Sequence, residues 1–211
     1  MYSLAMTRKA LSTDEIRHFR EAYCDIAYAL YQQHDFHAVS MRGIAKEMGC
    51  SPMTAYRYFK NKEEVFGFLR AILFDRLADA LETVDTQSNP KEYMQALGQA
   101  YVNFALDEPF AYRLLYMIHL HQSQANSEIE RAQNRTKKVL FNATISLIDV
   151  GVVKGDAVVI AHGLWGVIHG LVSLHLANNL NQGASLDELL PNILEIFLQN
   201  GSHKNQSQMR G

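Results

Sequence analysis

The tightest constraint on this chain is the punctuation between Met48 and Pro52. Ile44, Ala45 and Met48 recur at the spacing that shares one helical face, Gly49 supplies the left-handed residue that ends a helix, and Ser51-Pro52 restarts one. A serine at the N-cap offers its oxygen to orphan N–H groups, and a proline at the first helical position forfeits a donor that had no partner. The second helix therefore begins only about two residues after the glycine, so residues 39–62 predict two short helices joined by a tight turn, which is helix-turn-helix geometry.

The same stretch is basic. Arg42, Lys46, Arg57, Lys60 and Lys62 stand against the single acid Glu47, a local charge of +4 in a chain whose formal sum is −2. Thr54, Tyr56 and Tyr58 add hydroxyls, and duplex phosphates accept from hydroxyls as well as from Lys and Arg. Asn61 predicts the cap of a third helix starting at Lys62, where a lysine opposes the helix dipole and suits a phosphate better than it suits helix stability. Tyr56 and Lys62 are the candidate phosphate contacts. Arg42 and Thr54 are candidate base or groove-edge contacts, since an Arg fork matches guanine N7 and O6 together. Ser51, Arg57 and Tyr58 complete the candidate DNA-binding set, with packing on neighbouring helices the competing reading for Tyr56 and Tyr58. Leu30, Ile44 and Phe59 are assigned to the core.

The order and spacing of Phe19, Ile26-Ala27, Leu30-Tyr31, Phe36, Val39-Ser40-Met41, Ile44-Ala45, Met48-Gly49, Ser51, Thr54, Tyr56, Tyr58-Phe59 and Asn61-Lys62-Glu63 resembles the N-terminal DNA-binding domain of the TetR/AcrR family of bacterial repressors. Two positions depart from the family pattern. Asp35 stands where the family usually has glycine and still tolerates a turn, and Pro52-Met53 stands where Lys-Gly or a similar pair is usual, which bears on base preference.

The remaining segments also read as helices. With four prolines in 211 residues and 48% hydrophobic side chains, long uninterrupted helices and a packed core are favoured over strands and turns. A first helix is predicted from a Ser12 or Thr13 cap to about Gln33, with Phe19, Ile26, Ala27 and Leu30 on its packing face. The helix from Lys62 should run to about Val84, with Val65, Phe66, Leu69, Ile72, Leu73 and Leu77 as an apolar stripe, leaving the DNA-reading unit and entering the next. Further helices are predicted over 93–106, 110–121 and 128–150, with a polar loop over 122–127. Arg131, Arg135, Lys137 and Lys138 read as a solvated face. The first ten residues read as a loose arm and 201–211 as a disordered tail, giving domains over 1–62 and 63–200. Cys24 and Cys50 fall in no metal or redox spacing, and no apolar leader precedes the first helix, so a reduced cytoplasmic setting is expected.

Residues 157–177 are twenty-one in a row without a formal charge. Three histidines, three glycines and the lack of flanking basic anchors argue against a membrane span, so a helix buried on several sides is predicted instead. Gly163, Gly166 and Gly170 form a smooth stripe for close helix approach. With Leu190, Leu194 and Phe197 on a last helix, they are the candidate interface of a two-fold dimer. Pro191 means that this last helix starts late or bends.

Trp165, His169 and Gly170 are similar to the Trp-x-x-x-His-Gly signature of one C-terminal domain type in the same family. The resemblance implies an all-helical C-terminal domain that dimerises through its last two helices and often holds a small-molecule pocket. Tyr101, Phe104, Tyr112, Tyr116, Met117, Trp165 and His169 are the candidate lining, against a bland reading of aromatic core. His119, His121, His162 and His169 suggest a metal site only weakly, because zinc ligands are usually more tightly spaced and include a carboxylate or thiolate. No phosphate loop or nucleophile elbow occurs. The expectation is therefore an all-α, homodimeric, cytoplasmic transcriptional regulator that is not an enzyme, needs no cofactor or metal and no membrane, and acts as a repressor. Its partners would be a partly palindromic duplex operator, a second copy of itself and an effector of unknown identity. The alternative is a DNA-bound helix-turn-helix protein that recruits a protein partner without any small ligand.

Overall fold

A computed structural model describes residues 12–86, 89–118, 127–180 and 183–199, and among these every regular element is helical. The predicted arm over 1–10, nearly all of the polar stretch over 122–127, and the tail over 201–211 lie outside the described residues. The chain divides into two compact units, the first extending to Arg70 and the second beginning at Ala71.

In the first unit α1 (Thr13–Gln33) opens on a reciprocal cap: the Glu15 N–H donates to Ser12 Oγ at 3.2 Å and the Ser12 N–H donates to Glu15 Oε2 at 2.6 Å. These bonds hold the Glu15 carboxyl below the usual carboxylate range. The buried face of α1 is Tyr23, Cys24, Ala27 and Tyr31, whereas Phe19, Ile26 and Leu30 are only half-buried. This corrects the assignment of Leu30 to the core. The polar tips on the buried face are satisfied inside: Tyr23 donates its O–H to the Met41 carbonyl at 2.8 Å, and Cys24 Sγ lies 3.5 Å from the Val65 carbonyl. Burial pushes both the phenol and the thiol up to about 12.

A 3-10 turn (Phe36–Ala38) leads to α2 (Met41–Glu47), capped by Ser40. Gly49, at φ +72°, then closes α2. Its N–H bonds the Lys46 carbonyl at 3.1 Å, and the Cys50 N–H bonds the Ala45 carbonyl at 2.9 Å, the paired pattern of a Schellman end. Next, α3 (Pro52–Ala55) starts on Ser51, whose Oγ accepts from the Thr54 N–H at 3.0 Å. It is regular for one turn only. Arg57 and Tyr58 then bond back three residues rather than four, so the second helix of the motif runs out through tight turns. Ile44 and Phe59 are fully buried beneath it.

Helix α4 (Lys62–Glu82) belongs to both units, and they divide within it rather than at its start. Asn61 caps it, accepting from the Glu64 N–H at 2.9 Å. Val65 and Phe66 are buried in the first unit, with Phe66 set edge-on to Phe36 and Tyr31 at 4.8 and 6.2 Å between centroids.

The second unit continues with α5 (Pro90–Asp107), α6 (Pro109–Tyr116), α7 (Ser127–Asp149), α8 (Ala157–Leu176) and α9 (Leu186–Gln199). Asn89 and Asp156 cap α5 and α8 by accepting two backbone N–H groups each. Packed against α6, α7, α8 and α9, α5 is the hub of the unit. Gly98 permits this, because a Cβ there would stand 2.9 Å from Leu194 Cδ1 and 3.5 Å from Ile168 Cδ1. Helix α9 begins at Leu186, ahead of Pro191, which lies inside it and leaves the Asp187 carbonyl without its usual donor.

Candidate DNA-reading surface, ligand cavity and exposed apolar face

The helix-turn-helix unit exposes Arg42 on α2, and Tyr56 and Arg57 just past α3, with Tyr56 at 50% exposure. Arg42 and Arg57 make no hydrogen bond or ion pair among the described residues, so both guanidinium groups are available to a partner. Ser51 and Thr54 hold the start of α3, their hydroxyls 2.9 Å apart. Tyr58 is different. Its ring stacks on Phe19 at 3.8 Å between centroids, so its ring serves as packing. Lys62 is tied inward: its ammonium donates to the Phe36 carbonyl at 2.9 Å and lies 4.3 Å from the Phe36 ring centroid, leaving two of its three donors.

In the second unit α4 to α8 enclose a cavity of about 450 Å³. Its wall is mostly apolar, with Phe74 and Leu81 from α4, Met94 and Leu97 from α5, Leu115 from α6, Phe141 from α7 and Ile168 from α8. Tyr101, Tyr116 and Trp165 of the predicted set stand on the wall. Phe104, Tyr112, Met117 and His169 do not: Phe104 and Tyr112 are buried elsewhere in the packing, and Met117 is exposed. Instead Tyr112 and His169 brace the wall from behind. Trp165 Nε1 donates to the Tyr101 hydroxyl at 3.3 Å, Tyr101 donates to Tyr112 at 3.4 Å, and Tyr112 lies 2.5 Å from His169 Nδ1. The far nitrogen, Nε2, lies 3.5 Å from Ser173 Oγ. With Tyr112 as the donor to Nδ1, the chain runs from indole to imidazole and ends on a neutral His169 that carries its proton on Nε2. Burial lowers the His169 pKa and raises those of Tyr101 and Tyr112, which keeps every member uncharged.

The polar stripe on α7 was missed as cavity lining. Gln133, Thr136 and Lys137 line the cavity, and their i, i+3, i+4 spacing was the available signal. Nor is the neighbouring basic cluster simply solvated. Arg135 bonds Asp79 at 2.6 Å, Glu82 at 2.5 Å and Asp75 at 3.4 Å, while Arg131 bonds Asp75 at 2.6 Å, so α7 is clasped to α4. These bonds hold the Arg135 guanidinium above its usual pKa and the Glu82 carboxyl below the carboxylate range. Among the described residues no three His, Cys, Asp or Glu side chains gather as a metal site.

Among the described residues α8 alone is long and apolar enough to cross a membrane, yet only 28% of its most apolar stretch is buried within the chain. Within the chain α8 is covered on one side, and the expected burial on several sides would need the second copy. Ala161, Leu164, Ile168, Leu171 and Val172 pack inward, while Val159, at 70% exposure, and Leu174 stay uncovered. A Cβ at Gly166 or Gly170 would meet nothing within 4 Å, whereas at Gly163 it would meet Phe197 of the same chain at 3.8 Å. Ile196 and Phe197 extend the open face onto α9. Leu190 and Leu194, read as interface residues, turn the other way: they are 2% and 1% exposed and fill the space left by Gly98.

A helix-turn-helix head joined through one helix to an all-helical unit with a cavity defines the class, a DNA-binding regulator. Residues 25–67 match the family described as bacterial regulatory proteins, tetR family, and residues 94–197 match the tetracyclin repressor-like C-terminal domain. The chain belongs to the TetR family and is a DNA-binding transcriptional regulator rather than an enzyme. It is 26% identical over 186 residues to the HTH-type transcriptional regulator BetI of Agrobacterium fabrum, covering 85% of this chain and 88% of that one. A solved protein of unknown function from Rhodococcus sp. RHA1 superposes with a TM-score of 0.76 at 23% identity, covering 93% and 98% of the two chains. The fatty acid degradation regulator FadR from Bacillus halodurans superposes with a TM-score of 0.69 at 16% identity, covering 90% and 97%.

Proposed function

We infer that the chain is a cytoplasmic repressor that binds as a two-fold dimer to a partly palindromic operator and is released by a small molecule held in the α4–α8 cavity. Two heads would dock in successive major grooves, with Arg42, Ser51, Thr54, Tyr56, Arg57 and the remaining donors of Lys62 against the duplex. The dimer would form on the open face of α8 and α9, through Gly166, Gly170 and Phe197 with Val159 and Ile196. The C-terminal unit reads as the Trp-x-x-x-His-Gly type, on Trp165, His169 and Gly170.

The observation that carries this reading is the double membership of α4. Its first turns are packed into the helix-turn-helix unit through Val65 and Phe66, and its later turns bring Phe74 and Leu81 to the cavity and Asp75, Asp79 and Glu82 to the clasp. A ligand that parts α4 from α7 must strain the clasp or move the helix, and the helix is continuous with the head. Such a switch needs different ligand affinity in its two states, typically about 1–3 kcal/mol of coupling. The cavity itself counts against the alternative of ligand-free partner recruitment. Sequencing the chromosomal fragments retained by the purified protein tests the reading. A recurrent, partly palindromic site is expected, and no preference over random competitor at moderate ionic strength ends it.

A further inference from the structure

We propose that the cavity takes an amphipathic monoanion, an apolar chain or ring system ending in one carboxylate that Lys137 holds. The proposal names the ligand class of the cavity and so rests on the effector reading above. It starts from the charges on the wall. Lys137 is the one formally charged side chain among the lining residues, and no Asp or Glu joins it. A carboxylate entering there meets an ammonium and no opposing anion, whereas an organic cation meets that ammonium's repulsion and no carboxylate among the described lining residues, with only aromatic faces to offset it.

The ammonium is also unspent. Arg131 and Arg135, on the same helix, are taken up by the acids of α4, but Lys137 and Gln133 make no hydrogen bond or ion pair among the described residues. Gln133 and Lys137 are one helical turn apart and both line the cavity, so an amide and an ammonium flank one spot. His162 adds no donor to this spot: its Nδ1 is spent on the Val158 carbonyl at 2.7 Å, and in the neutral ring Nε2 only accepts. Lys137 is exposed as well as lining, which puts its charge at the rim, where a carboxylate keeps part of its hydration.

The rest of the wall sets the body of the ligand. Beyond this polar spot the surface is aliphatic and aromatic, and Tyr101 and Tyr116 are held neutral by burial, so no phenolate opposes an anion. A volume of about 450 Å³ lies within the range of small-molecule sites. A single cation matches one negative charge, not the nearly two of a phosphate monoester.

Trp165 is the only tryptophan in the chain and stands on the wall, so its fluorescence reports occupancy. The full-length protein is titrated with decanoate, decan-1-ol and decylammonium, each below its self-association concentration. Decanoate is expected to bind roughly tenfold or more tighter than decanol, the scale of one charge-assisted hydrogen bond, with decylammonium weakest. Lys137→Met should erase the advantage of decanoate while leaving decanol unchanged. Equal affinities, a preference for decylammonium, no binding by any of the three, or a decanoate advantage that survives Lys137→Met overturns the proposal. Operator release is measured in parallel. Decanoate that binds through Lys137 without freeing DNA refutes the effector reading and leaves the ligand class standing, while release by decanol with no carboxylate preference does the reverse.

Discussion

Replacing Tyr112 by Phe removes one oxygen from the middle of the second unit and nothing else. Tyr112 is fully buried, so no water takes the place of the hydroxyl. That oxygen accepts from Tyr101 at 3.4 Å and donates to His169 Nδ1 at 2.5 Å. Losing one intramolecular hydrogen bond costs about 1 kcal/mol net, and a buried acceptor left without a donor costs about 1–3 kcal/mol. Here part of the loss is recoverable, because the Tyr101 hydroxyl lies 3.4 Å from the same imidazole nitrogen and can turn to it. The expected cost is therefore about 1–2 kcal/mol, in the lower part of that range. For a chain of this size that is a fall in Tm of about 2–8 °C, read by scanning calorimetry at a fixed protomer concentration. A double-mutant cycle sharpens the test. His169→Leu removes the acceptor, so Tyr112→Phe in that background no longer strands the imidazole nitrogen, and the double variant should cost less than the two singles together by about 1 kcal/mol. A Tyr112→Phe protein within about 0.5 kcal/mol of the parent, or costs that simply add, would refute the braced wall.

Arg57→Ala should weaken operator binding across all sequences and lower the salt slope by about one unit without changing Tm, since this side chain has no partner among the described residues; an unchanged slope in an anisotropy titration removes it from the phosphate contacts. Gly166→Glu should give a folded monomer by light scattering, because no described residue lies within 4 Å of the new Cβ; a dimer of undiminished affinity places the interface elsewhere. Acid should destabilise the second unit through His169. Burial sets its folded pKa below the ordinary 6.5, so the unfolded chain binds more protons once the pH drops beneath that value, and stability is lost as pH falls. His169→Gln should flatten the decline in Tm between pH 7.5 and 5.5, and a decline of unaltered steepness would assign it to other groups.

The fold was legible wherever its signal is local. Ser12, Ser51-Pro52 and Asn61 mark helix starts because an orphan N–H is satisfied by a side chain at most three residues away. Asn89-Pro90 carries the same signal and was passed over, with α5 read from Tyr93 rather than from Pro90. Gly49 marks an end because only its own φ matters. Apolar periodicity likewise placed α4 to α8 to within a few residues, apart from the part of 110–121 that lies outside the described residues. Of the candidate site, the exposed basic head and the open glycines of α8 were readable for the same reason: both are properties of one helix face.

Tertiary structure decided what each face meets. Tyr23 is fully buried where the Met41 carbonyl takes its hydroxyl, while Leu30, two turns on, stays half-buried. Lys62 found the Phe36 carbonyl 26 positions back, and Arg135 found Asp79 56 positions away, so a cation read as a phosphate contact and one read as solvated both became ties within the fold. Leu190 and Leu194 went to the core and Phe197 to the surface because Gly98 on α5 left room for the former. Periodicity states that a helix has a face. Which helix covers that face is set by packing across the whole unit, where a lone side chain carries no information about its distant partner.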